Sequence, residues 1–335
     1  TILRMYNADG SVAQEIDPGE LVPTSLENGG SDSLFVRADS PRHPGELFAL
    51  NGTTLTRWTS HNPWLAEIDF GTQRTMTYTA RDGQQIEGIL IEPVGGVPKG
   101  GAPTIMMVHG GPEAHYTNGW LTGYSMPGQV GAGQGYAVFH PNYRGSTGST
   151  SEHRFAGYGE YGGKMVDDVI DGAAWAIAQG IAKPDGYCIA GGSYGGYSAL
   201  MVAARDSGRV KCAISVNGVT DPILRLSEYT PDSDAYNHYE LMLGSGRFSD
   251  DASRAAIMPV RQAGAMSAPI LIMHGREDTR VPFRQFTRMR EATGNRPNFT
   301  FVEMEGEDHF LQSTYARSDV LNRTLTFLEA HHPVQ

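Results

Sequence analysis

An α/β architecture, a mostly parallel sheet with helices on both faces, is what this sequence predicts, on three observations. Strand-like and helix-like patterns alternate from about residue 85 to the end. Short continuous apolar runs such as Thr104 to Val108 suit strands buried on both faces. A Gly-rich turn carrying a serine, Gly191-Gly192-Ser193-Tyr194-Gly195, stands directly between a strand pattern and a helix pattern. With 335 residues, 39% of them hydrophobic, the chain has ample material for a sizeable core.

Each element follows in order. Gln85 to Glu92 alternates apolar and polar residues, Thr104 to Val108 is the first buried run, and Tyr136 to Phe139 is the next. Met165, Val166, Val169, Ile170, Ala173 and Ile177 share one face and predict a helix over 163–179. A strand at Tyr187 to Ala190, a helix at Gly196 to Ala204 and a strand at Cys212 to Val216 come next. Residues 218–258 read as an insertion. A strand from Ile270, opened by Pro269 where a missing N–H matters least, leads to a helix over 283–292. A strand over 300–304 and a helix over 314–330 close the chain.

Residues 1–75 have another texture. Ser33 to Ala38, Glu46 to Leu50 and Leu55 to Trp58 are short strand-like runs, the last two joined across the hairpin signal Asn51-Gly52. They predict one or two antiparallel units, too few to close a barrel or a propeller. The division expected is therefore a small β part over 1–75 and a large α/β part over 76–335.

Composition narrows the function. A net charge of −11 argues against a nucleic-acid partner. No apolar run reaches the roughly 18 residues of a membrane span. Thr1-Ile2-Leu3-Arg4 has no signal-peptide pattern and no initiator Met, so upstream sequence is expected to be missing and the compartment is not legible. The two cysteines, Cys188 and Cys212, lie in apolar strand patterns. They read as buried thiols, not as a disulfide or a metal site.

The turn at 191–195 is the G-x-S-x-G pattern in the strand-to-helix context that makes its serine a nucleophile, as in α/β-hydrolases. Ser193 needs a base to take its proton and an acid to hold the base, in the chain order serine, acid, histidine. Of eleven histidines, His309 lies after the last strand and before the last helix. Asp278, just after the preceding strand, is the acid, with Glu277 its local rival. Two N–H donors must meet the developing oxyanion. Tyr194, the residue after the nucleophile, supplies one, and Gly111 in His109-Gly110-Gly111-Pro112 the other.

Together these motifs resemble the prolyl oligopeptidase family of serine peptidases. The resemblance rests on His109-Gly110-Gly111-Pro112, Asn142-Tyr143-Arg144-Gly145-Ser146, Gly191 to Tyr197, His274-Gly275 with Asp278-Thr279-Arg280-Val281-Pro282, and His309. It implies an α/β-hydrolase domain preceded by a β-propeller, and hydrolysis of short peptides without a cofactor. His109 replaces the tyrosine of prolyl oligopeptidase and the dipeptidyl peptidases, which resembles the acylaminoacyl-peptidase branch. The resemblance also implies that Arg280 binds a substrate carbonyl and that Tyr194 lines the pocket for the residue before the scissile bond. Tyr229, Tyr236 and Tyr239 in the insertion either extend that pocket or pack the core; Tyr236 is the one taken as substrate-binding. Residues 1–75 resemble a last propeller blade and exit strand. The partners expected are a peptide substrate and the missing propeller portion, in the same protein or in a companion chain, with a second copy of the chain as a further candidate. Small-ester hydrolysis and isopeptidase chemistry share the same triad and stay open as alternatives.

Overall fold

The computed structural model describes residues 2–30, 33–122, 126–244, 246 and 248–334. The N-terminal part is antiparallel throughout. β1 (Leu3–Tyr6) pairs with β2 (Val12–Ile16), and β3 (Val22–Asn28), β4 (Leu34–Ser40), β5 (His43–Asn51) and β6 (Thr54–Arg57) form a four-stranded meander. Gly52 and Thr53, between the paired Asn51 and Thr54, make the two-residue turn that closes β5 onto β6, with Gly52 at φ 59° in the first central position. Val36, Ala38 and Phe48 form its small core. One meander and one two-stranded ladder do not make a propeller.

Glu46 is a carboxylate buried in this meander. It accepts hydrogen bonds from the Thr59 hydroxyl, from the His61 N–H and ring Nδ1 (both 2.8 Å), and from Arg57 (3.0 Å). Burial pushes its pKa up, but the four donors outweigh burial and hold it down at about 2, against an ordinary 4.5. A carboxylate held below its unfolded value stabilises the fold above pH 4.5 and loses that contribution as pH falls toward 2. Glu46→Gln is therefore expected to lower the thermal midpoint at pH 7. The gap from wild type should close between pH 4.5 and 2 when both proteins are melted across that range.

The α/β part is built on eight strands. They are β7 (Gln73–Thr79), β8 (Gln85–Ile91), β9 (Thr104–Val108), β10 (Ala137–Asn142), β11 (Tyr187–Gly192), β12 (Val210–Val216), β13 (Ile270–Gly275) and β14 (Phe299–Met304). Their order is β14-β13-β12-β11-β9-β10-β8-β7. β9 to β14 run parallel, and β8 and β7 add antiparallel at one edge. β7 begins at Gln73, so the division expected at residue 76 falls inside this strand.

Among the described residues ten α-helices complete the fold: α1 (Gly128–Gly133), α2 (Ser151–Phe155), α3 (Lys164–Ala178), α4 (Tyr194–Arg205), α5 (Pro222–Leu226), α6 (Asp234–Leu243), α7 (Asp251–Ala256), α8 (Pro259–Gln262), α9 (Arg284–Thr293) and α10 (Thr314–His331). β9 shows why the sheet needs cover on both sides: Met106 and Val108 join one apolar cluster, Ile105 and Met107 the other. α3, α4 and α9 bury apolar side chains in the first cluster, and α1 and α10 in the second. Among the described residues no helix is long and apolar enough to cross a membrane.

The cysteines require a correction. Both are fully buried in strands, as expected, but they are not free thiols. The parallel register of β11 on β12 sets Cys188 opposite Cys212, with Cα atoms 4.7 Å apart, and the two form a disulfide. Register between strands 24 residues apart in sequence is not visible in the sequence.

Candidate functional site

β11 ends in Gly192, α4 begins at Tyr194, and Ser193 makes the turn between them with φ 57° and ψ −121°. Few non-glycine residues adopt a positive φ, and such strain collects at functional sites. The turn closes because Gly195 has no side chain: a Cβ there would lie 2.0 Å from the Val108 carbonyl oxygen. The Ser193 N–H donates to Val216 O at 2.9 Å, tying the turn to β12. The positive end of the α4 dipole lies at the serine.

Asp278 follows β13 and is buried. Its Oδ1 accepts the N–H groups of Arg280 and Val281, both at 2.8 Å, which fixes the carboxylate. Its Oδ2 accepts from His309 Nδ1 at 2.7 Å. That bond puts the proton on Nδ1 and leaves Nε2 free to act as base. Glu277, the rival, is exposed. His274 reaches the same Oδ2 at 3.5 Å while donating from Nε2 to Val281 O at 2.8 Å, and burial pushes its pKa down.

Asn217 was not singled out by the sequence, yet it ties these loops together. Its Oδ1 accepts the Gly275 N–H at 2.8 Å, and its Nδ2 donates to His309 O at 3.0 Å. It is buried, with φ 49°. An Asn-Gly pair, Asn217-Gly218, just past a strand pattern was the one available signal.

The His109–Pro112 loop lies against the nucleophile: a Cβ on Gly110 would come within 3.1 Å of Ser193 Cβ. Gly111 has φ 122°, and a Cβ on it would meet the Glu113 nitrogen at 2.6 Å, so only glycine fits. No backbone acceptor takes the Gly111 N–H among the described residues. The His109 ring turns away into the core, stacked on Tyr143 at 4.4 Å, with Nε2 2.9 Å from the Ser146 hydroxyl. Burial lowers its pKa to about 4. The ring braces the loop from behind, with Nδ1 2.7 Å from Gly110 O, and does not itself line the space beside Ser193.

Ser193, His309, Gly111, Tyr194 and Arg280 all line one cavity of about 580 Å³. The structure thus brings together every residue expected in the site except one. Tyr236 is outside this cavity: on α6, Ala235, His238, Tyr239 and Met242 share the face that lines it, and Tyr236 lies off that face. Tyr229 and Tyr239 line the wall, with ring centroids 5.6 Å apart. Tyr194 is buried and donates its hydroxyl to Tyr161 O at 2.8 Å, so it builds the wall as well. The Arg280 guanidinium sits over the Phe310 ring at 5.0 Å. Glu113, Arg225 and His238, which no motif marked in the sequence, also line the cavity.

Residues 123–333 match the prolyl oligopeptidase family of peptidases. The chain belongs to this family. Among its relatives, dipeptidyl aminopeptidase BIII of Pseudoxanthomonas mexicana is 32% identical over 238 residues, 68% of this chain and 34% of that protein. The acylamino-acid-releasing enzyme of Homo sapiens is 26% identical over 258 residues, 74% of this chain and 34% of that protein. The fold is that of the acylaminoacyl peptidase of Pyrococcus horikoshii, with a TM-score of 0.82 at 22% identity, covering 98% of this chain and 52% of that one. This family member therefore spans about a third of those relatives and about half of that solved chain.

Proposed function

We propose that this member of the prolyl oligopeptidase family is a serine peptidase acting on short peptides, of acylaminoacyl- or dipeptidyl-peptidase type, through Ser193, His309 and Asp278. The observation that carries the reading is the 2.7 Å Asp278–His309 hydrogen bond in the cavity that also holds Ser193 at its strained turn. Ser193 Oγ attacks the scissile carbonyl as His309 Nε2 takes its proton. The oxyanion is met by the N–H groups of Gly111 and Tyr194. His309 returns the proton to the leaving amine, and water then hydrolyses the acyl-enzyme by the same route in reverse. Asp278 orients the imidazole and stabilises its charged form. Arg280, anchored on Phe310, faces the cavity where a carbonyl of the preceding residue would lie.

The test is a substrate panel. The kcat/KM values for N-acetyl-alanyl anilide, dipeptidyl anilides with a free amine, and p-nitrophenyl butyrate separate the subtypes. Cleavage of either anilide, lost in Ser193→Ala, supports the peptidase. Cleavage of the ester alone overturns it in favour of an esterase.

Asn217 gives a second expected result. Asn217→Ala removes the bonds that hold the His309 loop to β13 without touching the reacting atoms. The kcat is expected to fall about 10- to 100-fold with KM nearly unchanged, measured on the best anilide, because misplacing a catalytic group costs rate more than binding.

A further inference from the structure

The far wall of the cavity carries a charge that an apolar-residue pocket would not need. Arg225, on α5, lines the cavity with its side chain only 13% exposed. Its guanidinium carbon lies over the Tyr229 ring, 4.1 Å from the centroid, and Nη2 donates to the Tyr229 hydroxyl at 2.6 Å. Its one anionic partner among the described residues, Glu228, is 3.3 Å away and is shared with Arg284, which holds the other carboxylate oxygen. One carboxylate thus serves two cations, and a guanidinium has five N–H donors to satisfy.

A second, independent feature lies beside it. The Tyr239 hydroxyl is buried and makes no hydrogen bond of good geometry, although it lies near enough to the Tyr161 hydroxyl for the two to perturb each other. Both phenols feel the Arg225 charge. The cavity's own carboxylate, Glu113, does not balance Arg225, because it is already paired with Arg154 and with His238 at 2.9 Å. Arg280 adds a further cation to the lining. A chain of net charge −11 has gathered positive charge where its substrate would bind.

We propose that the pocket for the residue preceding the scissile bond is tipped by Arg225 and the Tyr239 hydroxyl, and that it selects a side chain ending in a carboxylate, glutamate or aspartate, with the matching amides second. This rests on the peptidase reading of Ser193. The aromatic wall packs the methylene stem, and the guanidinium and hydroxyl take the oxygens at the tip. An apolar side chain there would leave the Tyr239 hydroxyl buried without a partner and the remaining Arg225 N–H donors unfilled, and sites built to hydrogen-bond their substrate reject such analogues strongly.

The experiment compares N-acetyl-X-4-nitroanilides with X = Glu, Gln, Leu, Phe and Lys, on wild type, Arg225→Met, Arg225→Lys and Tyr239→Phe. In parallel, Ser193 is labelled with diphenyl phosphonates carrying Glu or Leu at the same position. Wild type is expected to prefer Glu over Leu by about 10- to 100-fold in kcat/KM. Arg225→Met should abolish or invert that ratio, and Arg225→Lys should keep part of it. The wild-type panel needs no variant to fold. Labelling of Ser193 with Leu favoured over Glu, or a Glu-to-Leu ratio untouched by Arg225→Met, overturns the pocket assignment alone. No labelling of Ser193 by either phosphonate overturns the peptidase reading, and this inference with it.

Discussion

Ser193→Ala is expected to reduce kcat/KM on short peptide anilides about a million-fold, to the background set by binding and the oxyanion donors. The size follows from what is removed. Without Oγ no acyl-enzyme forms, and neither His309 nor Asp278 has a proton transfer left to assist. The turn itself should survive. It is held by the Ser193 N–H bond to Val216 O and by the close approach of Gly195 to Val108, and both are backbone features. Circular dichroism and the urea midpoint should stay close to wild type while the rate collapses. A variant that cleaves the anilides at an undiminished rate would remove Ser193 from the mechanism.

The largest expected loss of stability lies elsewhere, at Arg144. Its guanidinium is buried and grips two carboxylates at once. Nε and Nη2 donate to Asp168 at 2.8 and 2.7 Å, and Nη1 and Nη2 donate to Asp82 at 2.8 and 2.9 Å. The Arg144 backbone N–H adds a third bond to Asp168. Asp168 is fully buried on α3, and burial already pushes its pKa up against the pull of Arg144. Arg144→Ala leaves that carboxylate buried without its cation, which costs about 3–5 kcal/mol. Urea unfolding of the purified protein measures this, and a shift under about 1 kcal/mol, the scale of an exposed pair, would contradict it. The loss should reach the site as well. Arg144 sits in the Asn142–Ser146 segment, whose Ser146 and Tyr143 hold the His109 ring.

Much of this was legible in the sequence, for reasons that differ by region. Strands buried on both faces carry continuous apolar runs, so β9, β11, β12 and β13 announce themselves. α3 and α10 are long enough to show a period or a clear span. By contrast β1, β2 and β3 are largely solvent-exposed and carry no apolar alternation, so nothing marked them. α5, α7 and α8 have four to six residues each, too short for a helical period, and the insertion could be read only as an insertion.

The site divides the same way. Ser193, Asp278 and His309 were legible because a strand-turn-helix order dictates where a nucleophile, an acid and a base must stand. Contacts between distant segments were not. The Cys188–Cys212 bond depends on register, and the choice of Tyr239 over Tyr236 depends on which way α6 faces. Glu113 and Arg225 lie 112 residues apart and meet only in the folded cavity.

The most direct test of the account is covalent labelling. The protein is incubated with a fluorophosphonate, its intact mass is read, and the modified peptide is sequenced by mass spectrometry. A single adduct on Ser193, formed rapidly in the wild type and strongly slowed in His309→Ala, is the predicted result. An intact protein left unlabelled, or an adduct on any other residue, would contradict the claim that Ser193 is a nucleophile activated by His309 and Asp278.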